Sequence, residues 1–138
     1  IGCRYSRFGE TFVKLALVPG DGGAFFLQRV VGYAKAMELS LTGRIVEPEE
    51  ALQIGLLNQL IEPDNLRSAT EEMVNSITSN SPVALAMIKK AIRNARTAEI
   101  YGHLDLVAAF QGIAQRTHDH TEGVLALKEK RQPHFKGN

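Results

Sequence analysis

The apolar positions follow two patterns along the chain. Up to residue 18 they have no helical spacing. Tyr5, Phe8, Phe12 and Val13 are good strand formers, so a short extended entry is expected, although Lys14 to Val18 fits a helical turn equally well. Past residue 23 the period becomes helical. Ala24, Leu27, Val30 and Val31 form one stripe that Gly32 can stop in the left-handed conformation. Ala34, Met37 and Leu41 predict a second helix closed at Gly43. Pro48 opens a third, with Glu49 and Glu50 where the helix dipole favours negative charge, and Gly55 ends it. Leu56 to Ile61 reads as a short strand.

The second half is helical throughout. Asp64 predicts the N-cap of a helix with Leu66, Ala69, Met73 and Ile77 on one stripe. Ser81-Pro82 is a cap followed by proline at the first helical position; Leu85, Ile88 and Ile92 then share a face, with Lys89, Lys90 and Arg93 largely opposite. A helix over 100–116 carries Ile100, Leu104 and Val107, with Phe110 and Ile113 beside them. Asp119 and Glu122 have capping-box spacing and predict the start of a last helix bearing Val124, Leu125 and Leu127. Residues 132–138 read as irregular.

This arrangement predicts a strand-like stub with no partner, and an unpaired strand is unstable alone. Together with a first residue, Ile1, that is not methionine, it leads us to expect a sheet completed by sequence upstream.

Composition narrows the function classes. The 138 residues suit one domain or part of one, and 44% hydrophobic with 22% charged residues is ordinary globular material. A net charge of +1 offers no broad field for nucleic acid or a membrane surface. Cys3 is the only cysteine, so no intrachain disulfide can form, and a reducing cytoplasm is the expectation. No apolar run reaches the roughly 18 residues of a spanning helix. His103, His118, His120 and His134 lack metal-ligand spacing, and no serine sits in a nucleophile elbow. Cys3 has no neighbouring histidine and reads as buried structure.

The turn Pro19-Gly20-Asp21-Gly22-Gly23 is the most distinctive stretch. Proline fixes φ, glycine permits positive φ and aspartate bonds nearby amides. It is not a phosphate cradle: the third Rossmann glycine and the Walker Gly-Lys-Ser/Thr are absent, and Asp21 would repel a phosphate.

Taken together, Phe8-Gly9, Pro19-Gly20-x-Gly22-Gly23, Leu27-x-Arg29, Leu41-Thr42-Gly43, Glu50-Ala51, Gly55-Leu56-x-Asn58, Ser81-Pro82-x-Ala84 and Glu122-Gly123 with Glu129-Lys130-Arg131 resemble the crotonase (enoyl-CoA hydratase/isomerase) superfamily. The resemblance covers essentially the whole chain. It implies an α/β fold of crotonase type, represented here by the helical C-terminal half with a strand remnant. Residues 1–61 would end the ββα core with its glycine-rich turn, and 62–138 would form the helical region that caps the active site and builds a trimer. It also implies an acyl-CoA thioester as substrate, trimers or hexamers as the assembly, and no metal or redox cofactor, coenzyme A being part of the substrate. Family chemistry holds a thioester enolate between two backbone amides, which the resemblance places upstream of Ile1; alone, the chain is expected to be inactive.

The usual acids of this half are missing. Hydratases resembling this sequence carry glutamate four residues after the Phe-Gly pair, where Phe12 stands; isomerase relatives often carry aspartate after the loop proline, where Gly20 stands. Asp21 and Glu10 are the nearby candidates for catalysis. Asp21 reads either as a proton-transfer group or as a turn and capping residue, and Glu10 either as a functional acid or as a solvated or paired carboxylate. Phe12 reads as an acyl-pocket wall or a core aromatic. Phe12, Gly20, Gly22 and Lys130 are the candidate substrate-binding positions. Lys130 matches a family lysine that often meets the anionic 3′-phospho-ADP end of coenzyme A; Arg131 is its alternative, and a basic helix end complementing the dipole explains both residues without a ligand. Two functions remain open: an acyl-CoA hydratase or isomerase, including a member with altered chemistry through the loss of glutamate at Phe12, and a non-catalytic helical assembly module. RNA binding, known among relatives, has little support from the balanced charge.

Overall fold

The computed structural model describes residues Ile1–Asn138 and divides into two compact units, Ile1–Glu71 and Glu72–Asn138. The first holds four two-residue strands, β1 (Gly2–Cys3), β2 (Phe8–Gly9), β3 (Ile45–Val46) and β4 (Leu60–Ile61), with helices α1 (Gly23–Val31), α2 (Tyr33–Thr42) and α3 (Pro48–Gln53). Helix α4 (Leu66–Thr78) contains the boundary, and α5 (Pro82–Asn94), α6 (Ile100–Ala114) and α7 (His118–Glu129) follow.

The extended entry is shorter than its strand formers suggest, and it is paired. β1 lies parallel to β4, with Gly2 opposite Leu60, and β2 lies antiparallel to β3, with Phe8 opposite Val46. The expectation of a partnerless stub is therefore corrected: its partners come from later in this same chain. Phe12 and Val13 are not strand but open a 3-10 turn, Phe12–Leu15, closed by Ala16 at φ 54°. The expected strand over 56–61 contracts to Leu60–Ile61 because the Leu56 and Leu57 amides instead donate to the Ala51 carbonyl at the end of α3.

The core of the first unit is Leu39, Val46, Ala51 and Leu57, flanked by Phe8, Leu27, Ile54 and Leu56. Alternation on β3 buries Val46 and exposes Ile45, the period-two pattern of a strand. Burying a side chain such as Val46 stabilises by about 1.5–3 kcal/mol. Around this core, Lys35, Glu38, Arg44 and Glu50 tie α2, β3 and α3 together. Arg44 donates from Nη1 and Nη2 to both oxygens of Glu50 and from Nε to Glu38, which also pairs with Lys35. Hydrogen bonds from Arg44 and then from Lys35 hold the Glu38 carboxyl down at about 2.

Helix ends follow the sequence signals in part. Gly43 closes α2 at φ 57°, Gly55 follows α3 at φ 76°, and Ser81 caps α5 by accepting from the Ala84 amide. Asp64 is not a cap: it lies inside a 3-10 turn, Pro63–Asn65, that leads into α4. Nor does Asp119 cap α7. Thr117 does, accepting from the His120 amide, while Asp119 is the second residue of the helix and is 3% exposed. In the second unit α5 packs on α6, yet Ile88 and Ile92 on the predicted buried face of α5 are exposed, as are Ile100, Tyr101 and Leu104 on α6. No helix is long and apolar enough to cross a membrane.

Candidate active site

The glycine-rich turn sets the start of α1. Gly22 is the N-cap at φ 90°, in the left-handed region where L side chains are strained, and has no side chain to satisfy the first amides. Asp21 does that instead: its Oδ1 accepts from the Gly23 amide at 2.8 Å. The capping role open to Asp21 in the sequence is thus present as a bond. At Gly20 a Cβ would meet only the Val18 carbonyl, at 3.9 Å, and φ is not positive, so glycine is not demanded by the turn.

Glu10 reaches the same point from the other side. A methyl group on the Gly23 α-carbon would stand 2.5 Å from Glu10 Oε1 and 2.6 Å from Oε2, so only glycine leaves room for this carboxyl. Glu10 Oε1 is shut off from solvent and has no hydrogen-bond partner. Burial, and secondarily the negative charge of Asp21, pushes the Glu10 carboxyl above its ordinary range. Glu10 also lines a cleft of about 330 Å³ whose walls include Phe8, Leu27, Leu39, Val46 and Leu56. The cation on that cleft, Arg7, is taken up by Glu47 at 3.1 Å and by the carbonyls of Arg4 and Ser6.

Glu10, Asp21 and Gly22 therefore come together at the N-terminus of α1. Phe12 is half-buried in its 3-10 turn and is not part of the Glu10 cleft. Gly23 is the residue that sequence reasoning missed. Its place in the glycine run was visible, but an acid thirteen residues away gives no local sign that it will rest on a particular α-carbon.

Lys130 belongs to the second unit. It is the residue after α7, at φ 54°, its amide donating to the carbonyls of Ala126 and Leu127. Its ammonium is exposed and makes no ion pair, whereas Arg131 is consumed by Glu122 (2.6 and 3.0 Å) and Glu129 (2.6 Å). Of the two cations, Lys130 is the one left available. Sequence reasoning also missed the work of Asp119 and Glu122. Asp119 accepts from the amides of Lys136 (2.7 Å) and Gly137 (3.0 Å), and Glu122 accepts from the His134 amide at 2.8 Å. Residues 132–138 are irregular, as expected, but they are tied back onto α7. No group of three or more His, Cys, Asp or Glu side chains converges in a way that could hold a metal ion.

This order of elements is that of a fold known from other proteins. The sequence profile described as enoyl-CoA hydratase/isomerase matches residues 1–138, and the chain belongs to that family, within the crotonase superfamily. It is 35% identical over 137 residues to the 1,2-epoxyphenylacetyl-CoA isomerase of Escherichia coli (strain K12), covering 99% of this chain and 52% of that protein. To a short-chain-enoyl-CoA hydratase of Clostridioides difficile it is 35% identical over 123 residues, covering 89% of this chain and 79% of that protein. The crystal structure of an enoyl-CoA hydratase from Bacillus anthracis superposes with a TM-score of 0.95 at 33% identity, over 99% of this chain and 53% of that one. The fold is thus the crotonase fold in its helical half, and the chain spans about half the length of the isomerase and the crystal structure it matches.

Proposed function

We propose that this chain is the part of an acyl-CoA enzyme that moves protons on a thioester enolate, with the enolate oxygen held by amides contributed from outside these residues. The observation that carries the reading is the carboxyl pair at the start of α1. Glu10 is lodged against Gly23 with an unpaired oxygen and a raised pKa, and Asp21 stands beside it. A carboxyl shifted in this way suits general acid–base work.

The chemistry that fits best is a double-bond shift. Shifting a double bond in an enoyl thioester takes a proton from one carbon and returns it to another, so it is proton-neutral. Addition of water by a two-glutamate mechanism needs a second acid, and Phe12 stands where that glutamate is expected. The names of relatives include both hydratase and isomerase, which leaves the class of substrate common to both: acyl-CoA thioesters. Phe12 then supplies an apolar ring beside the acyl group, Gly20 and Gly22 let the turn approach the substrate, and Lys130 offers its free ammonium to the phosphates of coenzyme A. Assembly as a trimer or hexamer would cover exposed apolar side chains such as Ile92, Ile100 and Leu104. A cytoplasmic setting is in keeping with a lone, buried cysteine.

The test uses the full-length protein with 2-enoyl- and 3-enoyl-CoA thioesters of several chain lengths. The expected result is conversion of 3-enoyl-CoA into the conjugated 2-enoyl form, faster than hydration of the latter. Absence of turnover on all of them, with coenzyme A esters failing to bind, favours the helical assembly module instead.

A further inference from the structure

We infer that Glu10 carries the proton in this site and that Asp21 is a positioning residue that acts through it. The inference rests on the acyl-CoA reading above and divides the labour within the carboxyl pair. Two carboxylates meet at Gly23, but they are held differently. Asp21 is exposed, and its Oδ1 is bound to the Gly23 amide; a proton placed there would compete with that bond. Glu10 is half-buried, rests on the Gly23 α-carbon and keeps a solvent-shielded oxygen that no protein group satisfies. A buried, unbonded carboxyl oxygen is costly, and a ligand atom that exchanges a proton with it relieves the cost.

The charged groups around Glu10 support the same division. Asp21 faces it with like charge and favours its protonated form; Arg7, on the shared cleft, is neutralised by Glu47. Asp21 therefore supplies a fixed negative charge, anchored by the helix amide, that keeps Glu10 ready to hold a proton.

The step balances on one carboxyl group. Glu10 as carboxylate takes the proton from C2 of a 3-enoyl thioester: the C2–H bond breaks, an O–H bond forms, and the electron pair delocalises onto the thioester oxygen as a dienolate. The new carboxylic acid then delivers the same proton to C4. The O–H bond breaks, the C4–H bond forms, and the double bond settles between C2 and C3. No water, oxidant or second acid is consumed.

The experiment measures 3-hexenoyl-CoA conversion by the full-length protein, by Glu10→Gln and by Asp21→Asn, as kcat and KM against pH. It is paired with a ¹³C-carboxyl titration of Glu10 in the wild type and Asp21→Asn. Glu10→Gln is expected to lower kcat by about 100-fold or more with little change in KM. Asp21→Asn is expected to keep kcat within about 10-fold and to move both the acid limb of the kcat profile and the Glu10 titration to lower pH. Wild-type kcat in Glu10→Gln overturns the carrier role. A loss in Asp21→Asn equal to that in Glu10→Gln, with an unmoved limb and an unmoved titration, overturns the positioning role. If the wild type converts no enoyl-CoA, the acyl-CoA reading fails and the carrier role falls with it, while a Glu10 titration that still moves in Asp21→Asn upholds the coupling of the two acids.

Discussion

The Glu10 carboxyl and the Gly23 α-carbon touch so closely that the missing side chain of one is the space occupied by the other. This contact joins the end of β2 to the start of α1 and places an acid where the helix has its unsatisfied amides.

Gly23→Ala separates the two. The neighbour that must give way is the far end of a flexible side chain, so the fold survives, and alanine adds about 0.5–1 kcal/mol of helix propensity at the start of α1. The expected result is an unchanged or slightly raised Tm and a Glu10 carboxyl displaced toward solvent, its titration nearer the ordinary carboxylate range. Turnover of 3-enoyl-CoA should fall in the same variant. A Tm drop of the size a core cavity produces would show that the contact is not where the strain goes.

Glu10→Gln should stabilise the protein at neutral pH. The Glu10 carboxyl titrates above its unfolded value of 4.5, so the folded state holds its proton more tightly. Its contribution to stability is full below 4.5 and is lost as pH rises through the folded pKa. Urea unfolding at pH 4 and pH 7 reads the sign: the variant gains relative to wild type on going from the lower pH to the higher.

The tail behaves in the opposite way. The Arg131 guanidinium, then the His134 amide, hold the Glu122 carboxyl at about 2 against an ordinary 4.5. Its contribution is full above 4.5 and disappears as pH falls from there to about 2. For Asp119, burial pushes the carboxyl up, but the Ser81 hydroxyl and the Lys136 and Gly137 amides outweigh it and the net shift is downward. Asp119→Asn and Glu122→Gln should each speed amide exchange at residues 134–137 at neutral pH while α7 stays protected. Exchange unchanged in both would mean that something else holds the tail.

Leu39→Ala tests the core of the first unit. Leu39 is 2% exposed and packs with Val46, Ala51 and Leu57, so truncation should cost about 2–5 kcal/mol in denaturant unfolding. A smaller loss would indicate that the cleft beside it collapses to fill the gap.

Lys130 separates a backbone effect from a binding effect. A lysine at φ 54° carries about 1 kcal/mol of left-handed strain that glycine lacks. Lys130→Gly should therefore raise Tm, while Lys130→Ala should not. Both should raise KM for coenzyme A thioesters about 5-fold if the exposed ammonium meets the phosphates. An unchanged KM in both removes Lys130 from the site.

Much of this was legible because helices announce themselves. The 3.6-residue stripes and the signals at Gly43, Pro48 and Ser81 are local, and each was found where the residues put it. Asp64 and Asp119 were misread because a short carboxylate before an apolar stripe can cap a helix or serve a distant partner with equal economy. Only the return of residues 136 and 137 distinguishes the cases at Asp119. Phe12 and Val13 failed as strand because a 3-10 turn closed at Ala16 overrides their propensity. At the candidate site the chemistry of Glu10 and Asp21 could be named in advance, but their meeting at Gly23 could not. Side-chain reach across a turn leaves no periodicity.

The parallel pairing of β1 with β4 carries a kinetic consequence. Arg4 and Glu62, beside that ladder, bond across 58 positions of sequence, and Gly2 and Leu60 are as far apart. On a ribosome adding 5–20 residues per second, the first strand waits roughly 3–12 seconds for its mate to be synthesised. During that interval its amides and the apolar faces of α1 and α2 are open to other chains. Chaperone demand during synthesis should therefore be concentrated before residue 60 emerges.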